Sequence, residues 1–481
     1  MIRDFIRKGG GMMRHKSMLI LLLLLSFTLG YGVLATTARQ NAHHGPIVSP
    51  PLEKAQKLYV FHSAGEDLEK PLPLRHYSEA APAPVHPILR WTRVDGAVMY
   101  DVQVLRQLEA DEKTGDIAYE PVMPEQRAYT NGIELALPDD FQDDCFYYRV
   151  YGLDMEGRRV SDYSAIEKVP LDRMSPFVEK PELLSSYNTG KGTVLLYPVY
   201  DWLPVPGASQ YEVEILDAEP ENPGGVEASQ HRIDVYRTEA AQKYDPRPRY
   251  GNHPFYWRVR ALDEKGGPVG VWSDAQPFLT DPDTHYEVAA LGDSISHGGG
   301  SVSYSPTDWD FSYLSYLDFS VVNLAQSGDT STMTKDRFEA DVLPFRPKYL
   351  LILMGSNSLR NGLGADVVIS DMEEVRKKSL EHGIRPVFLT VPPVNPDNIK
   401  QTFDDETASD WQWQIGRVNR YVRSRVHIDI TPGMYDNEGR LRTELALDGL
   451  HLDPSGKKLM AQAINAAWPD IEALPDSAWD E

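Results

Sequence analysis

Ser294 stands in Val288-Ala-Ala-Leu-Gly-Asp-Ser-Ile-Ser296, an apolar run followed by a Gly-Asp-Ser turn and a loop holding Gly298, Gly299 and Gly300. The run reads as a short buried strand, so Ser294 falls at a carboxyl end, where open α/β sheets place their ligands. A serine hydroxyl is a weak nucleophile until a neighbouring base takes its proton. His451 has the right chemistry for that base. An imidazole of ordinary pKa near ~6.5 accepts and returns a proton at neutral pH, worth roughly 10²–10⁴ in rate. Asp448, one short turn earlier in Asp448-Gly-Leu-His451, can hold the other ring nitrogen and stabilise the imidazolium. Each residue also has a plainer reading: Ser294 as a turn or capping residue, His451 as a structural histidine near a helix start.

Such groups act only if separate elements bring them together. Apolar runs at 286–291, 319–324, 349–354, 386–391 and 426–430 read as strands, with helical stretches near 308–316, 335–341, 365–382 and 411–424. A last helix is signalled by Asp453 as N-cap, Pro454 in the first turn, and an apolar face through Leu459, Ile464 and Ala467. This alternation predicts an α/β domain over 284–475, its parallel sheet covered on both faces.

Four blocks fall in order at the expected strand ends: Gly292-Asp-Ser294, Asn323-Leu-Ala-Gln-Ser-Gly328-Asp, Met354-Gly-Ser-Asn357-Ser and Asp448-Gly-Leu-His451. Together they resemble the SGNH (GDSL-type) hydrolases, esterases and lipases built on a three-layer, flavodoxin-like α/β sheet. The resemblance implies a Ser294-His451-Asp448 triad. It also implies an oxyanion hole made by the backbone N–H groups of Ser294 and Gly328 and the side-chain amide of Asn357. Gly328 also reads as a positive-φ position, and Asn357 as a loop-capping amide. Many family members carry Asp after that Asn; here Ser358 stands, which leaves open what braces the loop. His297 reads as pocket wall or solvent-facing rather than as the base, and Asp293 as a brace of the turn. Asp436-Asn-Glu-Gly439 reads as a turn, lacking the carboxylates of a calcium loop.

Ahead of this region lies an internal repeat. Trp91-Thr-Arg-Val-Asp-Gly-Ala-Val-Met-Tyr100 matches Trp202-Leu-Pro-Val-Pro-Gly-Ala-Ser-Gln-Tyr211, and Phe146-Tyr-Tyr-Arg-Val matches Phe255-Tyr-Trp-Arg-Val. Alternation of polar and apolar residues marks half-buried strands. The pattern resembles fibronectin type III modules and predicts two β-sandwiches, 85–172 and 180–281, with one larger β-domain as the alternative.

The amino terminus resembles an export signal. Basic residues precede an apolar run from Met18 that fades out by Ala35, with a small-residue cleavage site after Ala35. Residues 1–38 therefore read as a signal peptide, an uncleaved membrane anchor being the alternative, and the Pro-rich stretch 39–84 as a linker. Export is expected on either reading. The net charge of −23 argues against a nucleic-acid partner. A single cysteine, Cys145, precludes an intramolecular disulfide. No ligand-spaced Cys/His cluster exists, so neither metal nor organic cofactor is expected. Aromatic residues near the nucleophile (Tyr304, Trp309, Phe311, Tyr313, Tyr316) and later (Trp411, Trp413) could face sugar rings or acyl chains. The expectation is an exported serine esterase acting on O-acyl, above all O-acetyl, esters of a polysaccharide or cell-wall glycan. The rivals are a lysophospholipase, short-chain lipase or thioesterase, and an inactive cell-surface scaffold.

Overall fold

In the computed structural model, which describes residues 59–60, 68–110, 112, 117–174, 177–189, 192–300 and 304–479, the apolar runs of the last third form one five-stranded sheet. Its order is Val321–Asn323, Val288–Gly292, Tyr349–Leu353, Arg385–Leu389, His427–Ile428, and every pairing is parallel. Numbered along the chain this is 2-1-3-4-5, the flavodoxin-like order, whose direction reverses beside the first strand. The strands at 288–292 and 349–353 are buried at every residue, as expected of a sheet covered on both faces. Side chains alternate between two cores. Ala289, Leu291, Leu350 and Ile352 meet the helices Ala365–Glu381 and Trp411–Val422 on one side. Val288, Ala290, Leu351 and Leu353 meet Pro454–Glu472 on the other. Helix Ala365–Glu381 buries Val368, Met372, Val375 and Ser379, one stripe at helical spacing.

Two expected helices take another form. The stretch 308–316 makes two 3-10 turns, Trp309–Phe311 and Tyr313–Tyr316. Its rings are committed to packing: Phe311 stacks on Tyr304 at 4.3 Å, while Tyr313 is fully buried. That packing overrides a weak helical preference. The stretch 335–341 is divided between Ser331–Asp336 and Phe338–Asp341 at Arg337, whose guanidinium turns inward to bond protein oxygens. Helices at Ser356–Arg360 and Pro396–Phe403 have no apolar run long enough to announce them.

The repeat produces two antiparallel units of one plan. In the first, the sheet centred on Met99–Gln107 and Cys145–Leu153 faces the two-stranded Ile88–Arg90/Gly132–Glu134 across a core of Leu89, Trp91, Tyr100, Val102 and Phe146. In the second, Gln210–Leu216 and Phe255–Leu262 face Val199–Asp201/Gln242–Tyr244 around Trp202, Tyr211, Val213 and Trp257. The matched residues do matched work. Tyr100 and Tyr211 accept the N–H of Val94 and Val205 at 3.0 and 2.9 Å, and each packs on its tryptophan. Cys145 is half-buried at the start of its strand.

The segment 1–38, expected to direct export, and most of the expected linker (39–58 and 61–67) lie outside the described residues. The rest of that linker is not free. Tyr59–Val60 pairs with Ala118 and Tyr119, and 68–84 runs along the first unit, with Leu74 N–H on Arg90 O and Ala83 N–H on Pro170 O. Proline favours such extended runs, whose remaining N–H and C=O groups still need partners. Among the described residues, no helix is long and apolar enough to cross a membrane.

Both units contact the α/β region. Val194 to Leu196 of the second unit extend the parallel sheet beyond Asn323, through Asn323 N–H on Val194 O and Leu196 N–H on Asn323 O. The first unit reaches the other side of the region: Met155 and Glu156 touch Thr402 and Gln401.

Candidate active site

The turn after the first strand is built by close approach. Gly292 lies against the carbonyl of Leu353, which a Cβ would strike, so the strand ends in a sharp bend. Asp293 caps the next helical turn, its carboxylate accepting the N–H of Ile295 at 3.1 Å, and Ser294 opens that turn. Burial raises the Asp293 carboxyl to about 6. Its second oxygen is buried without a partner.

His451 arrives from the loop before the last helix. Its Nε2 lies 2.9 Å from Ser294 Oγ, and its Nδ1 lies 2.8 Å from Asp448 Oδ2. Asp448 is fully buried, and its other oxygen accepts the N–H groups of Leu450 and His451 at 2.8 and 2.7 Å. An ionised carboxylate only accepts, so Nδ1 carries the hydrogen and Nε2 is left basic toward the hydroxyl. Ser294 is 6% exposed and His451 9%, so hydroxyl and imidazole are largely withdrawn from bulk water.

The oxyanion candidates occupy neighbouring loops. Gly328 has φ +91°, and among the described residues neither its N–H nor that of Ser294 has a protein acceptor. Asn357 lies in the buried helical turn that Ser356 opens; its Nδ2 donates to Asp329 O at 3.0 Å, leaving one amide hydrogen uncommitted. The loop after Asn357 is braced despite the missing Asp. Ser358 Oγ accepts the N–H of Ser331 at 2.9 Å and donates to Ser331 Oγ at 3.2 Å, and Ser331 Oγ in turn bonds Asp371 at 2.7 Å. The carboxylate of this network, Asp371, stands on the helix Ala365–Glu381.

His297 is not solvent-facing. It is 1% exposed, with Nε2 on Tyr197 O at 2.7 Å and Nδ1 engaged by Ser327 at 2.9 Å, and burial lowers its pKa to about 4. Most aromatic candidates are packing groups: Tyr304, Phe311, Tyr313 and Trp411 are buried, whereas Trp413 is 62% exposed. The Asp436–Gly439 turn is closed by its own Arg440, bonded to Asp436 at 2.9 Å.

Sequence reasoning passed over Lys457. It is fully buried, donates to Ile295 O at 2.8 Å behind the nucleophile, and lies near Asp453, Asp448 and Asp293. Burial lowers its pKa to about 8. The signal was present: 457, 460, 461 and 464 form one helical stripe, and a lysine among Met, Ala and Ile there needs a partner. Arg337 was also missed. It ties Asp329, Asp341 and the carbonyl of Gly292 together beneath the second block.

Fold and site together define a class. Residues 290–459 match the GDSL-like Lipase/Acylhydrolase family, and this part of the chain is a GDSL-like domain of that family of serine ester hydrolases. The uncharacterized lipoprotein YqeF of Bacillus subtilis (strain 168) is 24% identical over 226 residues, covering 39% of this chain and 88% of its own. A GDSL-like lipase from Bacteroides thetaiotaomicron is 18% identical with TM-score 0.33, covering 39% of this chain and 90% of its own. A point mutant of an acetyl-xylooligosaccharide esterase from Geobacillus is 18% identical with TM-score 0.28, covering 37% of this chain and 91% of its own.

Proposed function

We propose that this chain is an exported esterase that removes O-acyl groups, chiefly O-acetyl, from polysaccharide or cell-wall glycan through an acyl-enzyme on Ser294. The observation that carries the chemistry is the unbroken relay Asp448 Oδ2, His451 Nδ1, His451 Nε2, Ser294 Oγ at 2.8 and 2.9 Å. In this reading His451 takes the hydroxyl proton as Ser294 attacks the ester carbonyl, then returns it to the departing sugar hydroxyl. Asp448 holds the tautomer and offsets the imidazolium charge. The N–H groups of Ser294 and Gly328 and the Asn357 amide receive the tetrahedral oxyanion. Water, deprotonated by the same imidazole, then frees the acyl group as the acid.

Two features support a small acyl group on a large alcohol. Three of the rings that follow the nucleophile, Tyr304, Phe311 and Tyr313, are spent on packing, so they do not line a groove for a long acyl chain. The first β-unit, which we read with the second as fibronectin type III-like, contacts the helix Pro396–Phe403, and Phe403 meets the His451 ring edge-on at 6.2 Å. A wall beside the base suits an extended acceptor. The segment from Met18 to Ala35 supports export.

Fluorophosphonate labelling and p-nitrophenyl acetate turnover test the chemistry; both should vanish in Ser294→Ala. Folded wild-type protein that takes no label would favour the scaffold reading. Acetate release from acetylated xylan or pectin, compared with hydrolysis of a lysophospholipid, tests the substrate. Preference for the lipid would overturn the glycan assignment.

A further inference from the structure

His86, Glu134 and Glu179 converge where the first β-unit meets the strap leading into the second. Glu134 closes the strand Gly132–Glu134 and is paired in register with Ile88, two residues beyond His86, so adjacent strands set these two side chains. Glu179 comes from the strap, whose carbonyl accepts the N–H of Val271 in the second unit at 2.9 Å. One ligating atom from each of the three lies within 4.8 Å of the others.

The cluster lacks what buried carboxylates require. Glu134 is 5% exposed, and neither of its carboxylate oxygens has a hydrogen-bond partner. His86 Nδ1 and Glu179 Oε1 are likewise buried and unpartnered. Among the described residues, His86 is the sole basic group within ion-pair distance of Glu134. Dehydrated anions left in that state are costly unless a cation or a proton joins them.

The spacing excludes a short hydrogen bond from His86, so a proton shared between the two carboxylates is the rival to a cation. His86 Nδ1 is 3.6 Å from Glu134 Oε1 and 3.4 Å from Glu179 Oε2. Both exceed the roughly 2.7–2.9 Å of a charge-assisted hydrogen bond. They match the edge of a tetrahedron about an ion with ligand bonds of about 2.0–2.2 Å, which is roughly 3.3–3.6 Å. The imidazole is steadied by Phe177, ring centroids 4.6 Å apart. One nitrogen and two carboxylate donors fit a borderline ion such as Zn²⁺, whereas Ca²⁺ takes six to eight oxygens. We propose that His86, Glu134 and Glu179 bind a divalent transition ion, Zn²⁺ the best match, which clamps the first β-unit to the strap of the second. Water completes the shell, and the role is structural.

The test is calorimetric titration of chelator-stripped full-length protein with Zn²⁺, and separately with Ca²⁺, alongside thermal unfolding. One Zn²⁺ should bind per chain and raise Tm by about 5 °C at saturation, with Ca²⁺ doing neither. Glu134→Gln, Glu179→Gln and His86→Gln should each weaken that binding by about 100-fold or more, while esterase activity on p-nitrophenyl acetate persists. Three variants guard against one that fails to fold. X-ray absorption at the zinc edge should show nitrogen and oxygen donors. Equal Zn²⁺ binding in wild type and all three variants would overturn the assignment. So would Glu134→Gln raising Tm while the wild type ignores Zn²⁺, since a shared proton would then be what the carboxylates hold.

Discussion

Replacing Asn357 with Ala is the sharpest probe of the proposed oxyanion hole. The side chain is 3% exposed and pinned at both ends: Nδ2 donates to Asp329 O at 3.0 Å, and Oδ1 accepts from Arg360 Nε at 3.3 Å. One amide hydrogen is left for the substrate oxygen, and it is positioned before reaction begins. Its removal should cost about 3–4 kcal/mol of transition-state stabilisation, roughly 10²–10³ in kcat, with little change in KM. The substitution also orphans the Asp329 carbonyl, at about 1–2 kcal/mol of stability. Arg360 keeps its bond to Asp405 at 2.6 Å, so the loop should hold. Steady-state hydrolysis of p-nitrophenyl acetate gives kcat and KM, and thermal unfolding separates the two losses. A folded Asn357→Ala protein whose kcat stays within about threefold of wild type would refute the donor role.

Four further outcomes are expected. His297→Gln should retain kcat within about tenfold while His451→Gln loses it, because both His297 nitrogens are occupied by Tyr197 and Ser327. The same variant should flatten the acid limb of a stability–pH curve: His297 is held near 4, below its unfolded value, so the folded state resists protonation and loses stability as pH falls from about 6.5 toward 4. Ser358→Ala should lower stability by about 1–3 kcal/mol, measured by denaturant unfolding, because the buried Ser331 N–H loses its acceptor. Asp201, raised to about 8 by burial and by Asp308, binds a proton that the unfolded chain has already released. Stability it supports is present at low pH and lost as pH rises through 8, and Asp201→Asn should shrink that loss in Tm measured from pH 5 to 9.

The plan of the α/β region was legible because its strands are buried on both faces and therefore read as unbroken apolar runs between helices. Four short blocks at strand ends could be read for the same reason: a parallel sheet gathers the residues that follow its strands along one edge, so sequence order nearly gives spatial order. The repeat was equally visible, since matched tryptophans and tyrosines fill matched cores. What stayed hidden depends on contacts between distant segments. The 308–316 stretch gave up helical form because its rings pack elsewhere. The Asn357 loop is braced through Ser358 and Ser331 to Asp371, a network between distant segments that no local pattern announces. His86 and Glu134 belong to separate strand segments of the first β-unit and Glu179 to the strap that follows it, so the three share no motif. Local composition determines which elements form and which faces they bury; only the docking of those elements decides which polar groups lose water together, and that loss makes a lysine, a serine or a pair of carboxylates consequential.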